Sequence, residues 1–244
     1  MKQIQTFFIL ICMGALVSGC SYFNVIRGDG DMVDEEVEIG EYDRITLQGP
    51  SVEIHYTQSD DGPFLRVKTD RNMYGMFEFT ANDGELQISL KEEYKRHHLF
   101  PTEFTVTTGS KDLRYVHLTG KNKFHLADTA RFRKLEVVVT GNSTFKADYL
   151  QGENLKGSVT GNGTFDLAGR VDTASFTITG NGDVNAFDLQ SSRAACTVTG
   201  HGNLDIWATD DLKTVITGMG KIKYKGDPEI SKDVNGFGSV KKAD

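Results

Sequence analysis

The chain is short of the residues that would staple a small protein or carry one across a bilayer. Cysteine occurs three times in 244 residues, at Cys12, Cys20 and Cys196. The first two fall in or at the end of an N-terminal apolar run. Only Cys196 then remains for a folded domain, which excludes an internal disulfide framework. Between Ala195 and Thr197, Cys196 reads as a small buried apolar residue; as a nucleophile it would need a His beside it, with His201 the nearest in sequence. Positive charge is also lacking. The net charge is −7, which argues against nucleic acid as a partner, since that surface demands a basic footprint. Proline is scarce at 4 against 26 glycines, and no long helical periodicity occurs. Absent too are an HExxH pair, a metal-spaced Cys or His set and a Ser elbow, so no metal, cofactor or catalytic residue is assigned.

The first twenty residues, "MKQIQTFFILICMGALVSGC", hold one Lys, an apolar run and then small residues. The run is short for a membrane span and has the layout of a secretory signal. Its close, Val17-Ser18-Gly19-Cys20, resembles a bacterial lipobox. That resemblance implies cleavage after residue 19 and acylation of Cys20, an anchor of several chains at about 0.8 kcal/mol per buried methylene. The alternative is an ordinary signal cut nearby, with Cys20 incidental. Residues 20–36 read as a polar, acidic tether.

What the chain does have is a repeat. Aligning on the Gly after Thr gives Gly120, Gly141, Gly161, Gly180, Gly200 and Gly218, with Gly236 in frame, at spacings of 21, 20, 19, 20, 18 and 18. A period near 20 over seven units marks a solenoid. Two residues before each Gly stand Leu118, Val139, Val159, Ile178, Val198, Ile216 and Val234. Four residues after it stand Phe124, Phe145, Phe165, Val184, Leu204, Ile222 and Val240. Around these columns apolar and polar residues alternate, which is strand rather than helix. Between the strands lies G-x-G: Gly161 with Gly163, Gly180 with Gly182, Gly200 with Gly202, Gly218 with Gly220. Ser143 and Asn122 replace the second Gly in two units. Gly and Asn tolerate positive φ, so G-N-G is a corner and not a phosphate cradle, which would lead into a helix. Seven stacked coils make a rod of about 29 Å. The Thr residues before each Gly point outward and pair along the stack. Ice binding would need a second Thr column, and two residues earlier the row is mixed: His117, Val138, Ser158, Thr177, Thr197 and Val215.

The first part, residues 37–117, carries strand signals without the repeat: "YDRITLQGPSVEIHYT", "PFLRVKT", "MFEFT", "ELQISL" and "TEFTVTT". It reads as an irregular β region that caps one end of the rod. Residues 118–244 hold the repeats.

The lipobox, "EYDRITLQGPSVEIHY", "GELQISL", the serial TG-x-G units and the closing "YKGDPEISKDVNGFGSV" together resemble the auto-transporter adhesin head "GIN" domain family, common among lipoproteins of Bacteroidetes-type bacteria. The resemblance covers roughly residues 37–240. It implies an all-β, right-handed parallel β-helix, a location in the cell envelope with the outer membrane favoured, and a non-enzymatic adhesion role. The expected partners are the membrane, through the lipid anchor, and a glycan or an envelope or host protein. The membrane face is left open. A polysaccharide-cleaving enzyme on the same scaffold and a structural or stress-response component of the envelope are the other readings.

Candidate ligand residues are few. Five positions after the corner Gly runs a polar row, His125, Lys146, Asp166, Asn185, Asp205, Lys223 and Lys241. Asp166 and Asp205 fall two coils apart, about 9.6 Å by strand spacing, with Asp183 on the coil between. They form either a carboxylate group with glycosidase or cation potential or a solvated mixed-charge face. Trp207 follows an inward position and reads as a half-exposed platform or as packing. His97-His98, in "KEEYKRHHLF", reads as a basic solvated turn, since adjacent residues on a strand point opposite ways.

Overall fold

The structure is a computed structural model that describes residues 24–243. The expected signal segment 1–19 and Cys20 lie outside the described residues. The chain forms a β-solenoid of about six turns. Its body runs through β10 (Tyr115–Gly120), β11 (Lys123–Gly141), β12 (Thr144–Gly161), β13 (Thr164–Gly180), β14 (Asp183–Gly200), β15 (Asn203–Gly218), β16 (Lys221–Lys225), β17 (Glu229–Gly236) and β18 (Ser239–Lys242). Every neighbouring pair in this body is parallel, with the corner glycines in register from Gly120 to Gly236.

The two glycines of each corner have different causes. The first has φ between +100° at Gly141 and +126° at Gly236. A Cβ there would also meet the carbonyl oxygen of the Gly one coil below, at 2.8 Å for Gly161. The second Gly does not have positive φ, and neither does the Asn between them. It is glycine for space: a Cβ on Gly163 would fall 2.3 Å from Val139 Cγ1. Where Asn122 and Ser143 replace it, the buried side chains bond to the corner backbone. Asn122 Oδ1 accepts from the Val52 amide at 2.9 Å, and the Asn122 amide donates to Ser143 Oγ at 3.0 Å.

Inside, the expected columns are buried through Leu118, Val139, Val159, Ile178, Val198 and Ile216, and through Phe124, Phe145, Phe165, Val184, Leu204 and Ile222. The rings form a spine, Tyr56, Phe124, Phe145 and Phe165, with centroid spacings of 6.1, 5.2 and 6.0 Å. The last coil departs from the pattern. Val234, expected inside, is 40% exposed and Val240 is half-buried, because no further coil covers them.

The first half contains more of the repeat than its sequence suggests. In β3 (Tyr42–Gly49) Gly49 pairs with Gly120, and β4 (Glu53–Gln58) pairs with β11 beyond the corner. These two strands are a full member of the stack. Below them, β7 (Gly84–Leu90) pairs parallel with β3, and β9 (Phe104–Ser110) pairs parallel with β4. Antiparallel strands close the end: β6 (Phe77–Asn82) on β7, β5 (Phe64–Asp70) on β9 and β2 (Met32–Glu36) on β5. The cap therefore works as expected, and it converts a parallel edge into antiparallel ribbons. A single helical turn, α1 (Arg71–Tyr74), follows β5.

Two segments differ from their sequence reading. Residues 24–36 of the expected tether are built into the cap: β1 (Asn24–Arg27) pairs with β8 (His97–Phe100), and β2 pairs with β5. Two of the acidic residues that suggested a solvated tether have fixed partners, Asp34 on Arg66 at 2.6 and 2.8 Å and Asp31 on Arg71 at 2.6 Å. His97-His98, expected in a turn, opens β8, and its basic turn lies just before it.

Asp70 pins this arrangement. Its side chain is fully buried and accepts the Gly30 amide at 2.9 Å and the Thr102 amide at 2.7 Å. Burial alone would raise its carboxyl, but hydrogen bonds from Thr102 and Gly30 outweigh it and hold it below the ordinary carboxylate range.

Phe145→Ala should lower stability by about 3–5 kcal/mol, read as a fall in urea midpoint, because the spine is packed on both sides. Asp70→Asn should cost about 3 kcal/mol at pH 7. Because the native pKa is depressed, that contribution is present above pH ~4 and is lost as pH falls through the native value. The midpoint gap between the two proteins should close under acid.

Candidate binding surface

The pairing ladder of a coil breaks at the corner, after Leu126 and at Arg133, or at the equivalent positions, which marks three bends; the outward side chains of one flat between bends stack into rows. The register places His125, Lys146, Asp166, Asn185, Asp205, Lys223 and Lys241 in one row, as the spacing predicts. Asp183 lies in the neighbouring row with Thr164 and Asn203. The row does not gather its carboxylates into one centre. Asn185 Nδ2 donates to Asp166 at 2.5 Å, and Asn203 Nδ2 donates to Asp183 at 2.8 Å. At the corner, Asn162 and Asn181 each donate to the Asn one coil back, at 3.1 and 3.3 Å. These are amide and carboxylate ladders that tie coil to coil. Burial pushes the Asp205 carboxyl upward, although Lys223 and Lys225 pull it down. Trp207 is half-buried, stacked in register with Lys225.

Toward the cap the row ends in a cluster that sequence spacing does not reveal. His125 and Asp148 are bonded at 2.8 Å, with Lys146 3.1 Å from the same carboxylate and the His55 ring 5.9 Å from that of His125. The hydrogen bond to His125, aided by Lys146 and opposed by burial, holds Asp148 below the usual carboxylate range. His55 reaches it because β4 is a coil of the stack, which the spacing of the TG-x-G units does not show. Among the described residues no three His, Cys, Asp or Glu side chains are grouped to hold a metal.

Around the third bend lies a concave feature that the sequence reading also misses. A cleft of about 610 Å³ is lined by Asp43, Arg114, Phe132, Arg133, Lys134 and Glu153, among others. Phe132 pairs with Gly152, and its ring occupies the place of the missing side chain: a Cβ on Gly152 would lie 2.5 Å from the ring. Arg114 bonds Asp43 at the rim, and Arg133 sits 3.7 Å from Glu153 with 92% of its side chain exposed. The cleft thus sets an aromatic wall beside three cations and three acids, Asp43, Asp112 and Glu153; a ligand with an apolar face and a negative group would take Arg114 and Arg133 from Asp43 and Glu153. The sequence signal is the run "RFRK" at 131–134.

Cys196 is buried inside β14, and burial pushes its thiol up to about 12. It is core, as its neighbours suggest, and not a nucleophile. A thiol reagent at pH 8 should leave the folded protein unlabelled and modify Cys196 only after unfolding; labelling at the rate of a free thiol would contradict the burial.

Several solved structures share this architecture. A protein from Parabacteroides distasonis ATCC 8503, described as a "putative lipid binding protein", is 31% identical, with TM-score 0.76, over 91% of this chain and 100% of its own. A "putative adhesin" from Bacteroides fragilis NCTC 9343 is 24% identical, with TM-score 0.83, over 89% and 100%. A "putative adhesin" from Parabacteroides merdae ATCC 43184 is 25% identical, with TM-score 0.69, over 91% and 100%. No curated protein matches the sequence. Residues 41–228 match the family described as "Putative auto-transporter adhesin, head GIN domain". With most of its length matched and its corners stacked in register, the chain belongs to that family.

Proposed function

We propose that this protein is an acyl-anchored component of the cell envelope that binds an anionic glycan along the flank of its solenoid and does not turn it over. The observation that carries the binding role is the cleft at the third bend, where Phe132 is set against Arg114, Arg133 and Lys134. A sugar ring stacks on an aromatic wall while its acidic substituent meets the guanidinium groups. The family's adhesin description and the lipobox at Val17–Cys20 support an envelope site. The ladders of Asp166 and Asp183 support a non-enzymatic reading, since a glycosidase pair would need both carboxylates available to substrate.

The test has two arms. Protein extracted from membranes should carry acyl mass on Cys20, and Cys20→Ser should release it to the soluble fraction. On a glycan array, residues 21–244 should favour uronic-acid or phosphorylated glycans over neutral ones, with binding about tenfold weaker in Arg133→Ala. Silence across the array, or binding indifferent to that change, would remove the glycan role and leave the anchor standing.

A further inference from the structure

The short ribbon of β1 and β8 presents a face that the glycan cleft does not use. Its register pairs Asn24 with His97, Val25 with His98, Ile26 with Leu99 and Arg27 with Phe100. Side chains of directly paired residues share a face. Ile26 and Leu99 pack into the core of the domain. Val25, His98, Arg27 and Phe100 therefore share the outward face. Val25 is 53% and Phe100 52% exposed, and the Arg27 guanidinium lies 5.3 Å from the Phe100 ring centre. An aliphatic, an aromatic and a cation on one small face form a combination suited to the boundary between headgroups and acyl chains.

Local charge agrees. In β1 and the segment leading into β8 the cations are Arg27, Lys91, Lys95 and Arg96, and the acids are Glu92 and Glu93, with Lys95 bonded to Glu92 at 2.5 Å. The adjoining β1–β2 turn adds Asp29 and Asp31, the latter held by Arg71. With Arg71 counted, five cations meet four acids, so the ribbon and its flanks come to about +1 on a chain whose net charge is −7, and Arg27 is the cation on the outward face itself.

The ribbon is also fixed in place. The Gly28 amide donates to the Phe100 carbonyl at 3.0 Å, and Asn72 Nδ2 donates to the Arg27 carbonyl at 2.8 Å. Four residue steps separate Cys20 from Asn24, a reach of at most about 14 Å. An acyl group on Cys20 would therefore hold this face beside the bilayer surface.

We propose that the outward face of the β1–β8 ribbon docks on an anionic phospholipid headgroup layer and seats the cap end of the solenoid on the membrane. The orientation rests on the acyl-anchor reading. The contact itself belongs to the unacylated domain, and it orients a domain that the acyl chains only tether. Val25 and Phe100 enter the boundary region, and Arg27, with Arg96 at the entry turn, meets the phosphates.

The experiment uses residues 21–244, which contain every described strand; a solved relative spans 91% of the chain. Sedimentation with phosphatidylcholine vesicles, with and without about 30% phosphatidylglycerol, reads the contact at up to about 10 mM lipid. Partition should require phosphatidylglycerol and fall with added salt. Val25→Ser with Phe100→Ser should weaken it about fivefold or more, with an unchanged melting temperature because both positions are exposed. Arg27→Glu should abolish the preference for phosphatidylglycerol. Equal binding to both vesicles, no binding at the highest lipid, or a double variant that binds like the parent would each overturn the proposal. Acyl mass on Cys20 in membrane extracts is read separately, so failure of the docking face is distinguishable from failure of the anchor.

Discussion

The stack depends on one backbone contact, repeated at each corner from Gly141 to Gly236. The first Gly of each G-x-G turns with positive φ while the carbonyl oxygen of the Gly one coil below lies where a Cβ would be, at 2.7 Å for Gly180 and 2.5 Å for Gly200. The amide after that Gly donates to the same carbonyl, Asn162 to Gly141 and Asn181 to Gly161, both at 2.9 Å. A side chain at this point would force the coils apart by more than the strand spacing of about 4.8 Å allows. Once the corner is fixed, the register of everything between corners follows. Val and Ile fall on Val and Ile, Phe on Phe, and Thr on Thr. The second Gly is a consequence of this packing, because a branched residue from the coil behind fills the space beside it.

That dependence explains what can be read from sequence. A translational repeat writes its columns into the chain at fixed offsets, so the interior residues, the outward Thr row and the polar row from His125 to Lys241 are legible in the spacing alone. The coil of β3 and β4 is less visible, because the insertion carrying β5 to β9 separates Gly49 from its partner Gly120. Residues 24–36 mislead for a related reason. Their acidic composition suggests a tether, and the cations that hold them, Arg66 and Arg71, lie in a different strand and in α1. Composition reports what a segment carries, and only the fold reports what it meets.

The same contrast locates function. Where the repeat is regular, polar groups serve one another: Asn162 on Asn142, Asn185 on Asp166, Asn203 on Asp183. Such rows keep the coils aligned and offer little that is specific to one ligand. Individual features arise where regularity breaks. Gly152 opposite Phe132 lets a ring lie flat at the third bend and hollows the cleft there. The ribbon of β1 and β8 stands outside the main sheet.

The far end of the rod shows how a solenoid stops. One inward column runs Leu86, Ile45, Val116, Val137, Gly157, Phe176, Cys196, Thr214 and Lys232. It is apolar for most of its length, turns weakly polar at Thr214 and ends in a charge. The Lys232 ammonium lies 5.8 Å from the Tyr224 ring centre, over the open top of the core. Lys232, exposed and in register with the buried Thr214, puts a charge at this edge of the stack. The cap solves the same problem with antiparallel strands.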